Sequence, residues 1–101
     1  MAMNIEIMPQ LVIAYLSGEI DHHKAGGMRK ELDTVLQQVC PEELILDFGN
    51  VTFMDSSGIG FVMGRYKLMT DLEGIVKVTN LSPSLKKVMK LAGMDKLGVL
   101  E

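Results

Sequence analysis

Alternating apolar and polar residues at the start of the chain predict two β-strands joined by a short turn. The segment MNIEI places apolar side chains at residues 3, 5 and 7 and polar side chains between them, which is typical of a half-buried strand. Pro9-Gln10 interrupts this pattern, and LVIAYLSG follows as a second strand that ends at Gly18. Because the connection is short, we expect an antiparallel hairpin.

Apolar residues at three- and four-residue spacing then predict an amphipathic helix. This stripe consists of Ala25, Met28, Leu32, Val35, Leu36 and Val39. Asp21 is typical of an N-cap, because its carboxylate can accept amide protons of the first turn. Gly26 and Gly27 each weaken the helix by roughly 1 kcal/mol relative to alanine, which indicates either close packing or a frayed first turn. Pro41 ends the segment.

The middle of the chain predicts a central strand followed by a second helix. ELILDF, residues 43–48, is a nearly continuous apolar run, as expected of a strand that is covered on both faces. Gly49-Asn50 interrupts it, and VTFMDSSG leads into a helix from about Ser57 to Leu72. Gly74 ends this helix.

The last third of the chain adds a strand, a helix and a short closing strand. IVKVTN, residues 75–80, predicts the strand. Ser82 is a suitable cap for the helix, with Pro83 in its first position and Gly93 as its stop. GVLE predicts the closing strand. The predicted order is β-β-α-β-α-β-α-β, an α/β fold with a mixed sheet and helical cover.

The second helix has two apolar faces at 100° per residue. The face predicted to point into the core consists of Ile59, Val62, Met63, Tyr66 and Met69. The opposite face, on the side of Ser57, consists of Gly60, Phe61, Gly64, Leu68 and Leu72. A solvent-facing surface would carry charges there. Either another part of the chain or a binding partner covers this second face, and the periodicity leaves both possibilities open.

Composition limits the classes of protein that this sequence can represent. With 101 residues, of which 48% are hydrophobic, the chain is long enough for one core and predicts a single domain over residues 1–101. The net charge of −3 argues against a nucleic-acid partner. LVIAYL is far shorter than the ~20 apolar residues of a membrane helix. No signal-peptide pattern is present, and the lone Cys40 favours a reducing compartment. We therefore expect a cytoplasmic protein that binds neither nucleic acid nor membrane.

The segment around Ser56 and Ser57 is the candidate site, and three roles are open to it: catalytic nucleophile, helix cap or target of another enzyme. A serine hydrolase would need a general base, but the histidines are His22 and His23 and no G-x-S-x-G motif surrounds either serine. Phosphate-binding glycine motifs and metal-ligand spacing are also missing. We therefore predict that the chain is not an enzyme.

The position of Ser57 in the first turn of a helix suits a phosphate. Free amide groups and the helix dipole favour negative charge at this end, whereas Asp55 would repel a phosphoserine nearby. For an arbitrary pair of serines, capping is the simpler interpretation.

Several motifs together resemble one known family. FMDSSGIG (53–60), continued by GRYK (64–67), resembles the phosphorylation loop and helix of the anti-sigma factor antagonists. These are stand-alone members of the STAS domain family (sulfate transporter and anti-sigma factor antagonist). GEIDHH (18–23) and SPSLKKVMKLAGMDKL (82–97) are similar to further segments of the family, so the resemblance covers essentially the whole chain. DHH together with GRYK looks most like the sporulation branch, with a general stress-response antagonist as the alternative.

The resemblance implies a STAS-type mixed sheet with helices packed mainly on one side, and a switch without enzymatic activity. In this family the unphosphorylated antagonist binds an anti-sigma factor, which releases its sigma factor. The anti-sigma factor is also a serine kinase that inactivates the antagonist, and a PP2C-type phosphatase restores it. By residue matching the phosphorylated residue is Ser57, with Asp21 and Asp55 nearby. ATP and magnesium would belong to the kinase, so we expect no cofactor in this chain.

On this basis Ser57 is a substrate that Asp55, Ser56 and Gly58 present at a helix N-terminus. The partner surface implied by the resemblance consists of Gly60, Phe61, Gly64 and Leu68. The chain is expected to be a monomer. Two alternatives remain, a non-catalytic STAS adaptor and a small serine hydrolase that uses Ser57. Family members usually continue into a further C-terminal helix, and the end of this sequence at Glu101 affects the expected last strand more than the site.

Overall fold

The computed structural model describes residues 3–101, and its elements follow the predicted order. The strands are β1 (Met3–Met8), β2 (Leu11–Ile20), β3 (Glu43–Met54) and β4 (Ile75–Thr79). The helices are α1 (His22–Val39), α2 (Ser56–Asp71) and α3 (Pro83–Leu91), followed by a short 3-10 helix (Met94–Leu97). The closing strand expected at GVLE is reduced to one parallel bridge between Leu100 and Val78.

The four strands form one mixed sheet in the order β1-β2-β3-β4. β1 and β2 are antiparallel, which confirms the predicted hairpin, whereas β2, β3 and β4 are parallel to one another. Right-handed crossovers place both connecting helices, α1 and α2, on the same face of such a sheet. The fold implied by the resemblance, a mixed sheet with helices mainly on one side, is confirmed.

Two strands are longer than the sequence pattern predicts. β2 continues past Gly18, whose φ of 74° is in the left-handed region, and ends at Ile20. β3 does not stop at Gly49-Asn50 but runs through it to Met54. The register between β2 and β3 shifts twice, and at each shift β3 contains one residue more than the β2 segment opposite it. The polar and glycine residues that resembled a turn therefore form bulges within one strand.

The core lies between one face of the sheet and the helices. The fully buried positions of the parallel strands alternate along each strand: Val12, Ala14 and Leu16 in β2, Leu44, Leu46 and Phe48 in β3, and Val76 and Val78 in β4. Between them, Ile45 and Asp47 are only half-buried. The prediction that the central strand is covered on both faces is therefore wrong, because the helices cover one face alone.

A buried ion pair joins α1 to α2. The guanidinium of Arg65 is 2.8 Å (Nε) from Oδ1 of Asp33, and its Nη2 donates a hydrogen bond to Oδ2 at 3.3 Å. The Nε–H is not aligned with Oδ1, so the shorter contact is electrostatic rather than a hydrogen bond. Nη1 donates to the backbone oxygen of Phe61 at 3.2 Å, and Cζ is 5.1 Å from the centroid of that ring. Each nitrogen of this guanidinium therefore has a polar contact on α1 or α2.

Arg65 remains a cation despite its burial. Only 4% of the residue is exposed, and burial lowers its pKa, with the carboxylate of Asp33 opposing this effect and the charge of Arg29 adding to it. Guanidinium groups stay protonated in proteins at any physiological pH. Asp33, whose side chain is 27% exposed, is therefore the anion that compensates a permanently buried charge.

We expect removal of Asp33 to destabilise the protein more than its own exposure suggests. Asp33→Ala leaves Arg65 buried without a counter-charge. The expected loss in free energy of unfolding is about 2–3 kcal/mol, at or below the lower end of the range for fully buried pairs, because water can partly replace the carboxylate. Urea denaturation measures this loss, with Glu31→Ala on the exposed side of α1 as the control. The double variant Asp33→Ala/Arg65→Met should recover part of the loss, and equal stability of Asp33→Ala and Glu31→Ala would contradict the assignment.

Candidate functional site

The N-termini of α1 and α2 lie side by side, at the carboxyl ends of the two neighbouring strands β2 and β3. β2 ends at Ile20 and β3 ends at Met54, and these two residues are paired in the parallel ladder. The next residues along the two segments are Asp21 and Asp55, and the amide of Asp55 donates to the backbone oxygen of Ile20 at 3.2 Å. Parallel strands with crossovers of the same hand place both helix starts at this end of the sheet. The two aspartates singled out in the sequence are therefore brought to equivalent positions.

Each of these aspartates caps its helix. Asp21 Oδ1 accepts hydrogen bonds from the backbone amides of His23 at 3.0 Å and Lys24 at 3.1 Å. These bonds, that from Lys24 most of all, lower the pKa of Asp21 below its ordinary value. Asp55 Oδ1 accepts from the amide of Ser57 at 2.8 Å. The predicted cap of α1 is confirmed, and the cap of α2 is Asp55 rather than either serine.

The side chain of Ser57 is left available by this arrangement. It occupies the second position of α2, is half-buried, and its hydroxyl makes no hydrogen bond to any residue within 3–101. Ser56, in the first position, is exposed. The backbone around Ser57 is fixed by the Asp55 cap while the hydroxyl oxygen remains unengaged.

Gly58 allows the first turn of α2 to lie directly on the end of β3. A Cβ atom built at this residue would overlap Cγ of Met54 and lie 3.3 Å from its Cβ. Met54 is 7% exposed and belongs to the core. The glycine predicted as part of the loop therefore has a packing role that the sequence alone does not reveal.

A groove runs between α1 and α2 next to Ser57, and we refer to it as the α1–α2 groove. Its volume is about 280 Å³. Its lining residues are Ala25, Gly26 and Arg29 from α1 and Ser57, Gly60, Phe61 and Arg65 from α2. A Cβ atom built at Gly26 or at Gly60 would meet no atom within 4 Å. The missing side chains of these glycines thus leave the groove open.

The two faces predicted for α2 need correction at three positions. Phe61, assigned to the outward face, is 3% exposed, and Met63, assigned to the core, is 40% exposed. Arg65, to which the periodicity gave no core role, is buried. The reason is that α2 packs against the sheet through Val62 and Met69 and against α1 beside Phe61 and Arg65, so the buried arc is rotated towards α1.

The rest of the predicted outward face remains accessible to different degrees. Gly60 is exposed, and Gly64 and Leu68 are half-buried. At Gly64, as at Gly60, an added Cβ would meet nothing within 4 Å. Phe53, to which the sequence analysis gave no role, is 53% exposed two residues before Asp55. Its place as the first residue of the FMDSSGIG segment is the sequence signal that could have identified it.

Within residues 3–101, neither a histidine bonded to Ser57 nor a cluster of metal ligands is present. No hydrogen bond joins the imidazole of His22 or His23 to the Ser57 hydroxyl in the described part of the chain, and their own ring centroids are 4.1 Å apart. Among residues 3–101 there is no cluster of three or more His, Cys, Asp or Glu side chains that could hold a metal ion. No helix within that range is long and apolar enough to cross a membrane.

Comparison with known proteins places these features in a family context. A model of the STAS domain matches residues 2–100. The anti-sigma F factor antagonist of Paenibacillus polymyxa is 34% identical over 99 residues, which cover 94% of this chain and 85% of that relative. The anti-sigma-B factor antagonist of Bacillus subtilis is 30% identical over 79 residues, covering 78% of this chain and 71% of that relative.

Solved structures of one protein, SpoIIAA, resemble the whole chain. The unphosphorylated form of this anti-sigma factor antagonist superimposes with a TM-score of 0.88 at 31% identity, covering 99% of this chain and 86% of SpoIIAA. The phosphorylated form of SpoIIAA, a Bacillus cell fate determinant, superimposes with a TM-score of 0.80 at 31% identity, covering 99% and 89%. The resemblance inferred from the sequence motifs is confirmed.

We expect Gly58→Ala to destabilise the chain while Gly60→Ala stabilises it. The first substitution forces the buried Met54 to move, at a loss of about 1–3 kcal/mol. The second replaces a helical glycine in open space and should raise the free energy of unfolding by roughly 0.5–1 kcal/mol. Urea denaturation of the two variants and the wild type measures both changes in the free energy of unfolding. The packing role assigned to Gly58 is wrong if the two alanine variants are equally stable.

Proposed function

Because the chain belongs to the STAS domain family, we propose that it is an anti-sigma factor antagonist. In its unphosphorylated state it binds an anti-sigma factor, and this releases the sigma factor held by that protein. Phosphorylation of Ser57 ends the interaction. Higher identity to anti-sigma F antagonists, at 34% and 32%, than to anti-sigma-B antagonists, at 30% and 27%, favours a sporulation role over a stress-response role.

The observation that carries this proposal is the state of the Ser57 side chain. Within residues 3–101 the hydroxyl makes no hydrogen bond, to a histidine or to any other residue, and the Asp55 cap holds the backbone on which it sits. A nucleophile would need a base within hydrogen-bond reach. A substrate for another enzyme needs only a fixed backbone and an accessible oxygen, which is what Ser57 offers.

Electrostatics explain how a phosphate there would act as a switch. Phosphorylation adds about −1.5 to −2 charges next to the carboxylate of Asp55. Amide groups of the first turn and the helix dipole partly stabilise the added charge. The helix therefore stays folded. A partner that docks here, however, meets a concentrated negative charge, which weakens binding through repulsion and through the cost of desolvating the phosphate.

The partner surface we propose extends from Ser56 and Ser57 along the accessible side of α2. Gly60 and Gly64 each reduce helix stability by roughly 1 kcal/mol, and nothing within the described chain requires them, since an added Cβ at either position has open space. Close approach by the partner's backbone accounts for both. Leu68 continues this side of the helix. Phe61 supports the surface from beneath, because it is buried.

The remaining parts of the system belong to other proteins. We propose that the anti-sigma factor is itself the serine kinase and supplies ATP and magnesium, and that a PP2C-type phosphatase removes the phosphate. Asp21 lies at the neighbouring helix start and contributes to the surround of the phosphorylation site. The antagonist itself works as a cytoplasmic monomer without catalytic activity and without a cofactor of its own.

The proposal predicts that the cognate anti-sigma factor, with ATP and Mg²⁺, attaches one phosphate to Ser57. Intact-mass measurement counts the phosphates that are attached, and peptide mapping identifies the modified residue. Ser57→Ala should abolish the modification, and Ser56→Ala is the matched control that should retain it, because only Ser57 combines an unengaged hydroxyl with the amide held by Asp55. Phosphate on Ser56, or on no residue while binding persists, would contradict the assignment.

A binding measurement with Gly60→Ala tests the proposed surface in the same system. The added methyl group meets nothing in this chain, so the variant should be folded and at least as stable as the wild type while binding the anti-sigma factor about tenfold or more weakly. Lys30→Ala, on an exposed position of α1, is the control. Undiminished binding by Gly60→Ala would remove Gly60 from the interface.

A further inference from the structure

We propose that the α1–α2 groove is a built-in receptor for the phosphate on Ser57, with Arg29 as the side chain that binds it. This inference rests on the proposed function in one respect, that Ser57 is the modified residue. It adds a specific regulatory contact within the chain, between α2, which carries the phosphate, and α1, which carries the arginine.

Arg29 is the cation of this groove that has no partner. It is exposed on α1, and within residues 3–101 it forms no hydrogen bond or ion pair. The other guanidinium of the groove, on Arg65, is already engaged by Asp33 and by the backbone of Phe61. Two cations and one carboxylate thus converge here, and they leave one positive charge uncompensated.

The direction of helical side chains favours contact between Arg29 and a phosphate on Ser57. In an α-helix, long side chains extend towards the N-terminal end. The N-terminal end of α1 lies next to that of α2, because Ile20 and Met54 are paired immediately before the two caps. Arg29 therefore extends from the second turn of α1 towards the end at which α2 carries Ser57 in its first turn. Both residues line the same groove.

Space and charge also fit a phosphate. The groove, with a volume of about 280 Å³, has room for a phosphate group together with several water molecules. Gly26 and Gly60 keep this volume free, since neither carries a side chain. The carboxylate of Asp55 is held by the Ser57 amide and is not among the residues that line the groove, so a phosphate in the groove does not meet it there. Arginine is well suited to bind it, because its guanidinium can donate two parallel hydrogen bonds to phosphate oxygens.

This contact would change the surface that a partner meets. In the unphosphorylated chain the groove is open and carries a free positive charge. In the phosphorylated chain the phosphate enters the groove and neutralises Arg29. Phosphorylation would then act by neutralising a basic groove as well as by adding negative charge at the start of α2.

The test uses protein into which phosphoserine is incorporated at position 57 during translation, so that no kinase or partner is needed. The ³¹P resonance is followed through a pH titration in the wild type, in Arg29→Gln, in Arg29→Lys and in the control Lys30→Gln. An arginine bound to the phosphate favours its doubly charged form. The titration midpoint should therefore rise by roughly 0.5 pH units, or about threefold in proton affinity, in Arg29→Gln, with a smaller change in Arg29→Lys and almost none in Lys30→Gln.

Two results would overturn the inference. Equal midpoints in the wild type and in Arg29→Gln would show that the phosphate does not contact Arg29. Equal shifts in Arg29→Gln and Lys30→Gln would show a general effect of net charge. Because position 57 is phosphorylated in advance, neither result depends on whether an anti-sigma factor modifies Ser57, so a failure here is distinguishable from a failure of the proposed function.

Discussion

The ion pair between Arg65 and Asp33 joins the two helices on which the whole site is built. Arg65 is a buried, permanent cation whose remaining polar contact is the backbone of Phe61, so its position relative to α1 is fixed by the carboxylate of Asp33. This contact holds α1 against α2 beside the groove. The groove between them, and the relative placement of Ser57 and Arg29, depend on that contact.

The sheet fixes the other end of the same arrangement. Two parallel strands end at paired residues, Ile20 and Met54, and each is followed at once by an aspartate that caps a helix. Gly58 lets α2 lie against Met54 without a side chain between them. Ser57 therefore stands on a backbone held by a cap on one side and by core packing on the other, although its own hydroxyl takes no part in either. A rigid frame around an unengaged side chain suits a residue that other proteins modify and recognise.

Much of this structure could be predicted from periodicity and caps, and the failures have identifiable physical causes. The hairpin, α1 with its Asp21 cap and the order of the elements follow from local patterns, which tertiary contacts reinforce. The faces of α2 do not, because a helix packed against both a sheet and a second helix buries a wider arc than a simple two-face division allows. That arc includes Arg65, and a charged residue at a core position looks like solvent exposure until its partner 32 positions earlier in the sequence is known. The packing role of Gly58 and the continuity of β3 through Gly49-Asn50 likewise depend on contacts between elements.

The most direct test of the account is a calorimetric titration of the anti-sigma factor with the chain in two states, unmodified and carrying phosphoserine at position 57. The account predicts tight binding of the unmodified chain and a loss of about two orders of magnitude or more in affinity for the phosphorylated chain, with the fold unchanged by circular dichroism. Equal affinity in the two states would contradict it, because Ser57 would then not be the switch.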